Sequence, residues 1–396
     1  MPSCDYNPAV RRWARLYTQS TSAFTASLSE AMPYLLIVLD EIEKRDVPGE
    51  FAFLPYIESN YTPIATSGDH AAGIWQLMPD TAREAGLTIN ADYDGRLDIQ
   101  ASTHAALDLL QRYHDEFGDW RISDMAFNAG EYGLKQLVTD NRDDRSAAEV
   151  GRLRVHAGTH DHLAKLLAVA CVIGLPERYK IELPETDLDD QLAAIELPAP
   201  VDMELAARLA GVEVARLQRW NPGFLHGRMP ANGPFHLLIP QARRLVLEQT
   251  LGKLPQYAWR DWHPVTLKLN ETMDLFASET DLDPTALATI NGVLPDTPLV
   301  PGTRLLLPGR AANDSARVDV LPAPVVVRTS SGLTVVHAGD TLWGIARQQG
   351  VRLEDLLRWN KLTRSSTLHL GQRLHVTAPD TPMATGVVTA SAPAAN

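Results

Sequence analysis

A helical domain followed by small α+β modules of strand–helix–helix–strand order is the architecture this sequence predicts. Three observations carry the prediction. Apolar residues recur at helical spacing as far as about residue 182. An acidic, proline-bearing stretch, 183–198, interrupts that pattern. Beyond it the chain repeats itself in units of roughly 45 residues.

The helical part divides at its own punctuation. Ala31–Arg45 places Tyr34, Leu35, Val38, Leu39 and Ile42 on one stripe, and Pro48-Gly49 ends it. Glu50–Glu58 predicts a short helix. Asp98–Phe117 carries Ala101, Ala105, Leu109 and Tyr113 on one face, and Asp119–Asn128 and Gly158–Ile173 complete the domain.

The repeat is clearest between Asp202–Asn221 and Thr341–Asn360. Ala207/Ala346, Arg208/Arg347, Gly211/Gly350, Leu217/Leu356, Trp220/Trp359 and Asn221/Asn360 coincide without gaps. A weaker copy, Thr272–Asn291, keeps Ala277, Leu287 and Asn291, and its tail Leu299–Pro308 matches Leu368–Val376. Copies start 70 and 69 residues apart, which predicts beads joined by linkers rather than a solenoid whose repeats abut. The expected divisions are a helical domain over 1–182, a linker over 183–198, and degenerate modules over 199–241 and 262–309. A second linker over 310–332, an intact module over 333–377 and a tail over 378–396 follow.

Composition excludes some functions. The net charge is −13, with 36 basic against 49 acidic residues. A nucleic-acid binder needs a basic face to displace counterions from phosphate, so none is expected as partner. With only Cys4 and Cys171, at the extreme N-terminus and in an apolar run, no disulfide framework is expected, and Cys171 reads as a small buried residue. No membrane-spanning segment is predicted. The longest apolar run, Leu166–Leu175, is about half of the roughly 20 residues a span needs. Nor does a basic-then-apolar signal precede Cys4.

The chemistry concentrates near Glu58. It closes an apolar helix among Phe53, Leu54, Tyr56 and Ile57, where poor solvation favours the protonated form that a general acid needs. Glu58-Ser59 is followed nine residues later by Ser67, then by Gly73-Ile74-Trp75-Gln76-Leu77-Met78-Pro79, and finally by Phe127-Asn128-Ala129-Gly130. Four motifs in this order and spacing resemble the transglycosylase SLT domain family, which has a goose-lysozyme-like helical fold. The resemblance covers Pro33 to Leu175.

The family implies that Glu58 protonates the glycosidic oxygen between MurNAc and GlcNAc and then acts as base on the MurNAc C6 hydroxyl, leaving a 1,6-anhydro end. It implies substrate contacts from Ser59, Ser67, Gly73, Gln76, Met78, Phe127, Asn128 and Ala129. Trp75 is expected in the core, and Asp94, Arg96 and Asp98 are expected to cap and brace a helix. Two departures stand out. Phe127 occupies a position where the family has tyrosine, and Gly158-Thr159-His160-Asp161-His162 replaces an E-T-x-x-Y stretch. His156, His160 and His162 lack a further ligand at metal-site spacing, so no metal and no cofactor are expected.

Residues 335–376 resemble a LysM domain, with Gly339-Asp340-Thr341 as the strand-to-helix turn. That family implies a glycan groove formed here by Gly339, Asp340, Thr341, Leu342, Asn360, Lys361 and Leu362. The whole then implies a peptidoglycan-cleaving lytic transglycosylase in the cell envelope, on its periplasmic side, acting as a monomer. Outer-membrane attachment would run through a lipid, with Cys4 as candidate, or through a removed signal. The alternatives are a catalytically weak or inactive peptidoglycan-binding scaffold and a hydrolytic, lysozyme-like muramidase.

Overall fold

The computed structural model describes residues 4, 7–139, 150, 153–185, 191–295, 297–309 and 317–320. Further on it describes 333–336, 342, 345–346, 353–363, 366 and 372–376. They form two compact units, 1–321 and 322–396.

The first unit opens with helices α1 (Pro8–Tyr17), α2 (Thr21–Glu43), α3 (Leu54–Ser59), α4 (Pro79–Glu84), α5 (Ile99–Phe117), α6 (Trp120–Ala129), α7 (Glu131–Thr139), α8 (Ala157–Gly174) and α9 (Pro176–Tyr179). A 3-10 turn, Gly49–Phe53, leads into α3. Local chemistry sets the ends. The Asp98 carboxylate accepts from the Ala101 amide at the start of α5, and the Asp119 carboxylate accepts from the Arg121 amide at the start of α6. Gly118, at φ 69°, ends α5 in the left-handed conformation that glycine adopts without strain. α8 packs against α1, α3, α6 and the 3-10 turn.

α2 starts at Thr21, ten residues before the stripe predicts, with the Ser20 hydroxyl accepting from the Ala23 amide. By length and composition this helix could cross a bilayer, which the expectation of no such segment overlooked. Here Phe24, Leu28, Leu35, Val38 and Ile42 are buried, and the helix packs on the 3-10 turn, α5 and a strand of the next module.

The cysteine expectation is corrected. Cys4 and Cys171 are joined by a disulfide with Cα atoms 5.4 Å apart, tying the N-terminus to α8. The sulfur of Cys4 is therefore not free to carry a lipid. Nothing local in the sequence marks the pairing, because the two cysteines are 167 residues apart and meet only once α1 lies along α8. Cross-links of this kind contribute about 2–4 kcal/mol, chiefly by restricting the unfolded chain. Reduction with dithiothreitol is expected to lower Tm by several degrees, read by calorimetry against the Cys4→Ser/Cys171→Ser variant, which should not respond.

Two modules follow. The first comprises β1 (Leu192–Glu196), α10 (Met203–Ala210), α11 (Val214–Trp220) and β2 (His236–Pro240), with α12 (Arg244–Lys253) after it. The second comprises β3 (Trp262–Leu267), α13 (Met273–Thr280), α14 (Pro284–Asn291) and β4 (Arg304–Pro308). β1 pairs antiparallel with β2, and β3 lies between β4 and β5 (Val318–Val320). The stretch expected as linker, 183–198, thus holds the first strand of a module.

One asparagine recurs as a clamp. The Asn221 side-chain amide donates to the carbonyls of Leu217 and Leu238, and its Oδ1 accepts from the Leu238 amide. Asn291 does the same with Leu287 and Leu306. Each clamp ties the end of the second helix to the last strand and satisfies otherwise unpaired backbone groups.

These two modules are not separate beads. Gly223 packs so closely on the helical domain that a Cβ there would lie 3.0 Å from the side chains of Asp98 and Tyr93. The Asp94 amide donates to the Gly223 carbonyl, and the Leu225 amide donates to the Asp92 carbonyl. The rings of Tyr93 and Phe224 stand 5.6 Å apart. At the centre His236 Nε2 lies 2.7 Å from the Asp98 carboxylate, both side chains being buried.

This ion pair makes docking pH-dependent. Burial opposes charge on both groups, but each partner overrides it, lifting His236 above its ordinary value and holding Asp98 below its own. A raised histidine stabilises fully below about pH 6.5 and loses that contribution as pH rises through its folded value. A depressed aspartate stabilises above about pH 4 and loses its contribution as pH falls. His236→Gln is therefore expected to lower Tm most between about pH 4 and 6.5. Removing one partner of a buried pair costs about 3 kcal/mol there. The gap to wild type should narrow on both sides in a pH series of melting curves.

The second unit shows β6 (Leu333–Val335) antiparallel to β7 (Arg373–His375), and α15 (Leu353–Asn360). Val336, Leu342, Ile345, Ala346, Leu356, Leu357, Leu374 and Val376 form its core.

Candidate active site

α3 is six residues long and ends at Ser59, with Asn60 in the left-handed region as its cap. This places Glu58 on the last turn, where the chain doubles back. Its side chain is 18% exposed, so one end meets solvent while the rest is enclosed.

The loop after α3 is built as two narrow bridges, Thr66 with Ala72 and Ala72 with Leu77. Gly73 sits at its tightest point, at φ +80°, where a Cβ would lie 1.8 Å from the Arg96 carbonyl oxygen. Arg96 in turn is ion-paired with Asp94 and donates through Nη1 to the His70 carbonyl at 2.7 Å. Asp94 and Arg96 thus brace a loop, and Asp98 caps α5.

The predicted site residues fall into two groups. Several are occupied in holding the loop. The Ser59 hydroxyl donates to the Ile74 carbonyl at 2.9 Å. The Ser67 hydroxyl accepts from the Ala71 amide at 3.1 Å. The Gln76 side-chain amide donates to the carbonyls of Gly73 and Ala65. Trp75 is fully buried, donates to the Thr103 hydroxyl at 3.0 Å and stands edge-on to Phe127, 6.2 Å between centroids. Met78, Asn128 and Ala129 are exposed. Gly73 approaches the backbone of Arg96 too closely to offer a surface.

Three helices then meet on Glu58. His162, on α8, places Nε2 2.9 Å from Glu58 Oε1. Its Nδ1 lies 3.2 Å from the carboxylate of Asp124 on α6, whose side chain has no exposed surface. Burial would strip the imidazole of its proton, but Asp124 and Glu58 outweigh it and push His162 up to about 10. In the sequence His162 stands out only as a metal-ligand candidate and as a replaced motif position. The signal it carried was that replaced position, since His162 stands where the expected stretch ends in tyrosine. His160 instead meets the Leu153 carbonyl, and His156 Nδ1 accepts from the Gly158 amide.

In the second unit Leu342 is buried in the core and Leu362 packs against it, whereas Lys361 is exposed. Asn360 is the third clamp. Both its amide hydrogens go to backbone carbonyls, of Leu356 and His375, and its Oδ1 accepts from the His375 amide. Gly339, Asp340 and Thr341 lie outside the described residues.

A helical domain with one partly enclosed glutamate at a helix end, carrying βααβ modules behind it, defines a lytic transglycosylase of SLT type with LysM-like modules. Comparison with known proteins agrees. The Transglycosylase SLT domain family matches residues 40–149, the LysM-like domain of lytic transglycosylase MltD matches 191–256, and the LysM domain matches 334–377. The membrane-bound lytic murein transglycosylase D of Escherichia coli K12 is 30% identical over 380 residues, 93% of this chain and 81% of that protein. The chain belongs to the lytic murein transglycosylase D family. A putative tributyltin chloride resistance protein of Alteromonas is 43% identical over 113 residues, 28% of this chain and 55% of its own length. The cell wall-binding protein YocH of Bacillus subtilis is 48% identical over 46 residues, 12% of this chain and 16% of its own.

Proposed function

We propose that the chain cleaves the MurNAc–GlcNAc β-1,4 bond of peptidoglycan without water, leaving 1,6-anhydroMurNAc ends, on the periplasmic side of the cell envelope. One observation carries the reading. The second carboxylate of the cluster, Asp124, is wholly buried behind His162 and cannot reach a sugar. Double-displacement or water-activating glycosidases need that second carboxylate at the substrate.

Glu58 gives its proton to the glycosidic oxygen as the bond to MurNAc C1 breaks. The MurNAc acetamido group stabilises the cationic centre. The Glu58 carboxylate then takes the proton of the C6 hydroxyl as that oxygen bonds to C1, so the glutamate ends the cycle protonated and no water is consumed. The exposed Met78, Asn128 and Ala129 supply the walls on which the strand lies, while Ser59, Ser67 and Gln76 act through the loop they hold. The C-terminal module holds the glycan and raises its effective concentration at the cleft. Asn360 acts through the module's own backbone, as Asn221 and Asn291 do in theirs, and the exposed Lys361 contacts the sugar.

Digestion of purified sacculi followed by mass analysis of the products tests this. Anhydro-ended muropeptides are expected. Reducing ends would identify a hydrolase, and no release would identify a binding scaffold.

A further inference from the structure

Asp124 is a fully enclosed carboxylate whose hydrogen-bonding partner among the described residues is His162. A buried carboxylate of this kind needs a donor, so Nδ1 of His162 carries a hydrogen directed at Asp124. That fixes the role of the other ring nitrogen. Nε2 and Glu58 Oε1, 2.9 Å apart, share a single line along which one proton fits. The proton sits either on Glu58, facing a neutral imidazole, or on His162, facing a carboxylate. The two arrangements hold the same number of protons and differ only by a transfer over one hydrogen bond.

We propose that His162, backed by Asp124, is a positioning residue that stores the catalytic proton beside Glu58 and so keeps the enzyme's acid loaded at neutral and mildly alkaline pH. The proposal rests on Glu58 being the proton donor of the reaction. A lone, partly exposed glutamate surrenders its proton near the ordinary carboxylate range, leaving about one molecule in a thousand loaded at pH 7.3. The trio surrenders its shared proton as a unit, with an apparent value that belongs to no single member. The imidazole's strong hold on a proton supplies the reservoir.

The surroundings leave this pairing undisturbed. On α1, which packs along α8, Arg12 is taken by Asp161 at 2.7 Å. On α6, Asp119 is paired with Arg121. The groups on the remaining neighbours are Glu50 on the 3-10 turn and Glu177 and Arg178 on α9, and the charges acting on the imidazole are Asp124 and Glu58. The Glu58 side chain keeps 18% exposure while its Oε1 is held by His162.

Rate of release from sacculi is measured from pH 4.5 to 9 with full-length wild type, His162→Gln and the double variant His162→Gln/Asp124→Asn. The double variant removes the buried charge that the single one would strand, so it keeps the test open if the single variant fails to fold. Wild type is expected to hold its activity through neutral pH. The variants should stay within about threefold of wild type near pH 4.5 and fall a further tenfold or more by pH 8, because their acid empties as an ordinary carboxyl does. Nitrogen NMR of wild type should show both ring nitrogens of His162 protonated at pH 8 in the free enzyme. A variant slowed equally at every pH, or a wild-type enzyme whose His162 is neutral while Glu58 is ionised at pH 7, would overturn the store and leave a structural contact only. If Glu58→Gln still cuts glycan, the reading of Glu58 itself has failed; if Glu58→Gln is dead and the variants' alkaline limb is unmoved, only the store has failed.

Discussion

Glu58→Gln is expected to reduce glycan release from sacculi by about a thousandfold or more. One side chain supplies the acid for the first half of the reaction and the base for the second, and each role contributes roughly 10² to 10⁴ in rate. Glutamine keeps the volume and a polar contact to His162 at the same 2.9 Å position but has no proton to deliver. The fold does not depend on that proton, because α3 is held by buried Leu54, Pro55 and Tyr56 and by the bond from Ser59 to Ile74. Pull-down on sacculi should therefore be unchanged, since the module at 334–377 is untouched. Retained cutting would refute the assignment of Glu58.

Gly73→Ala is expected to be the most damaging single methyl group in the catalytic domain. The added Cβ would lie 1.8 Å from the Arg96 carbonyl oxygen and 2.7 Å from its carbonyl carbon, and backbone cannot rotate aside as a side chain can. The left-handed φ of +80° adds strain of its own. Neither wall can retreat, because the Asp94 pair and the bond to His70 hold Arg96 while Gln76 holds the Gly73 carbonyl. A loss of about 3–5 kcal/mol follows, in the range reserved for such clashes. Gly68, five residues earlier in the same loop, meets nothing within 4 Å. Gly68→Ala should change stability by less than about 0.5 kcal/mol. Denaturant melts of the two variants, with release assays alongside, separate a clash from a merely sensitive loop.

The helices were legible because burial imposes a 3.6-residue period, and α5, α6 and α8 fall within a residue or two of their predicted ends. The motif around Glu58 was legible because it is local. The repeat was legible even in its weakest copy, because Asn291 repeats a set of hydrogen bonds that few other side chains could make. What the sequence concealed was contact between distant parts. Cys4 with Cys171, Asp98 with His236 and Glu58 with His162 are separated by 104 residues or more, and nothing near either member announces the other. Gly73, Ser59 and Gln76 stand in the motif beside the acid, and only the folded chain shows that they also shape its loop. The strand at Leu192–Glu196 reads as linker in the sequence because acidic residues and prolines surround it, although β2 supplies its partner.

The seam between helices and modules changes what counts as the smallest working enzyme. A fragment cut at residue 182, where the helices end, would uncover the Tyr93 ring, leave the Asp98 carboxylate without His236, and loosen the turn whose Arg96 carbonyl presses on Gly73. The damage would pass from the cut face to the Gly73 loop, which the Ser59 hydroxyl ties to the end of α3 beside Glu58. Anyone seeking a compact version for assay or crystallisation should keep the chain through residue 309, and should regard the two degenerate repeats as a buttress that the scissors cannot do without.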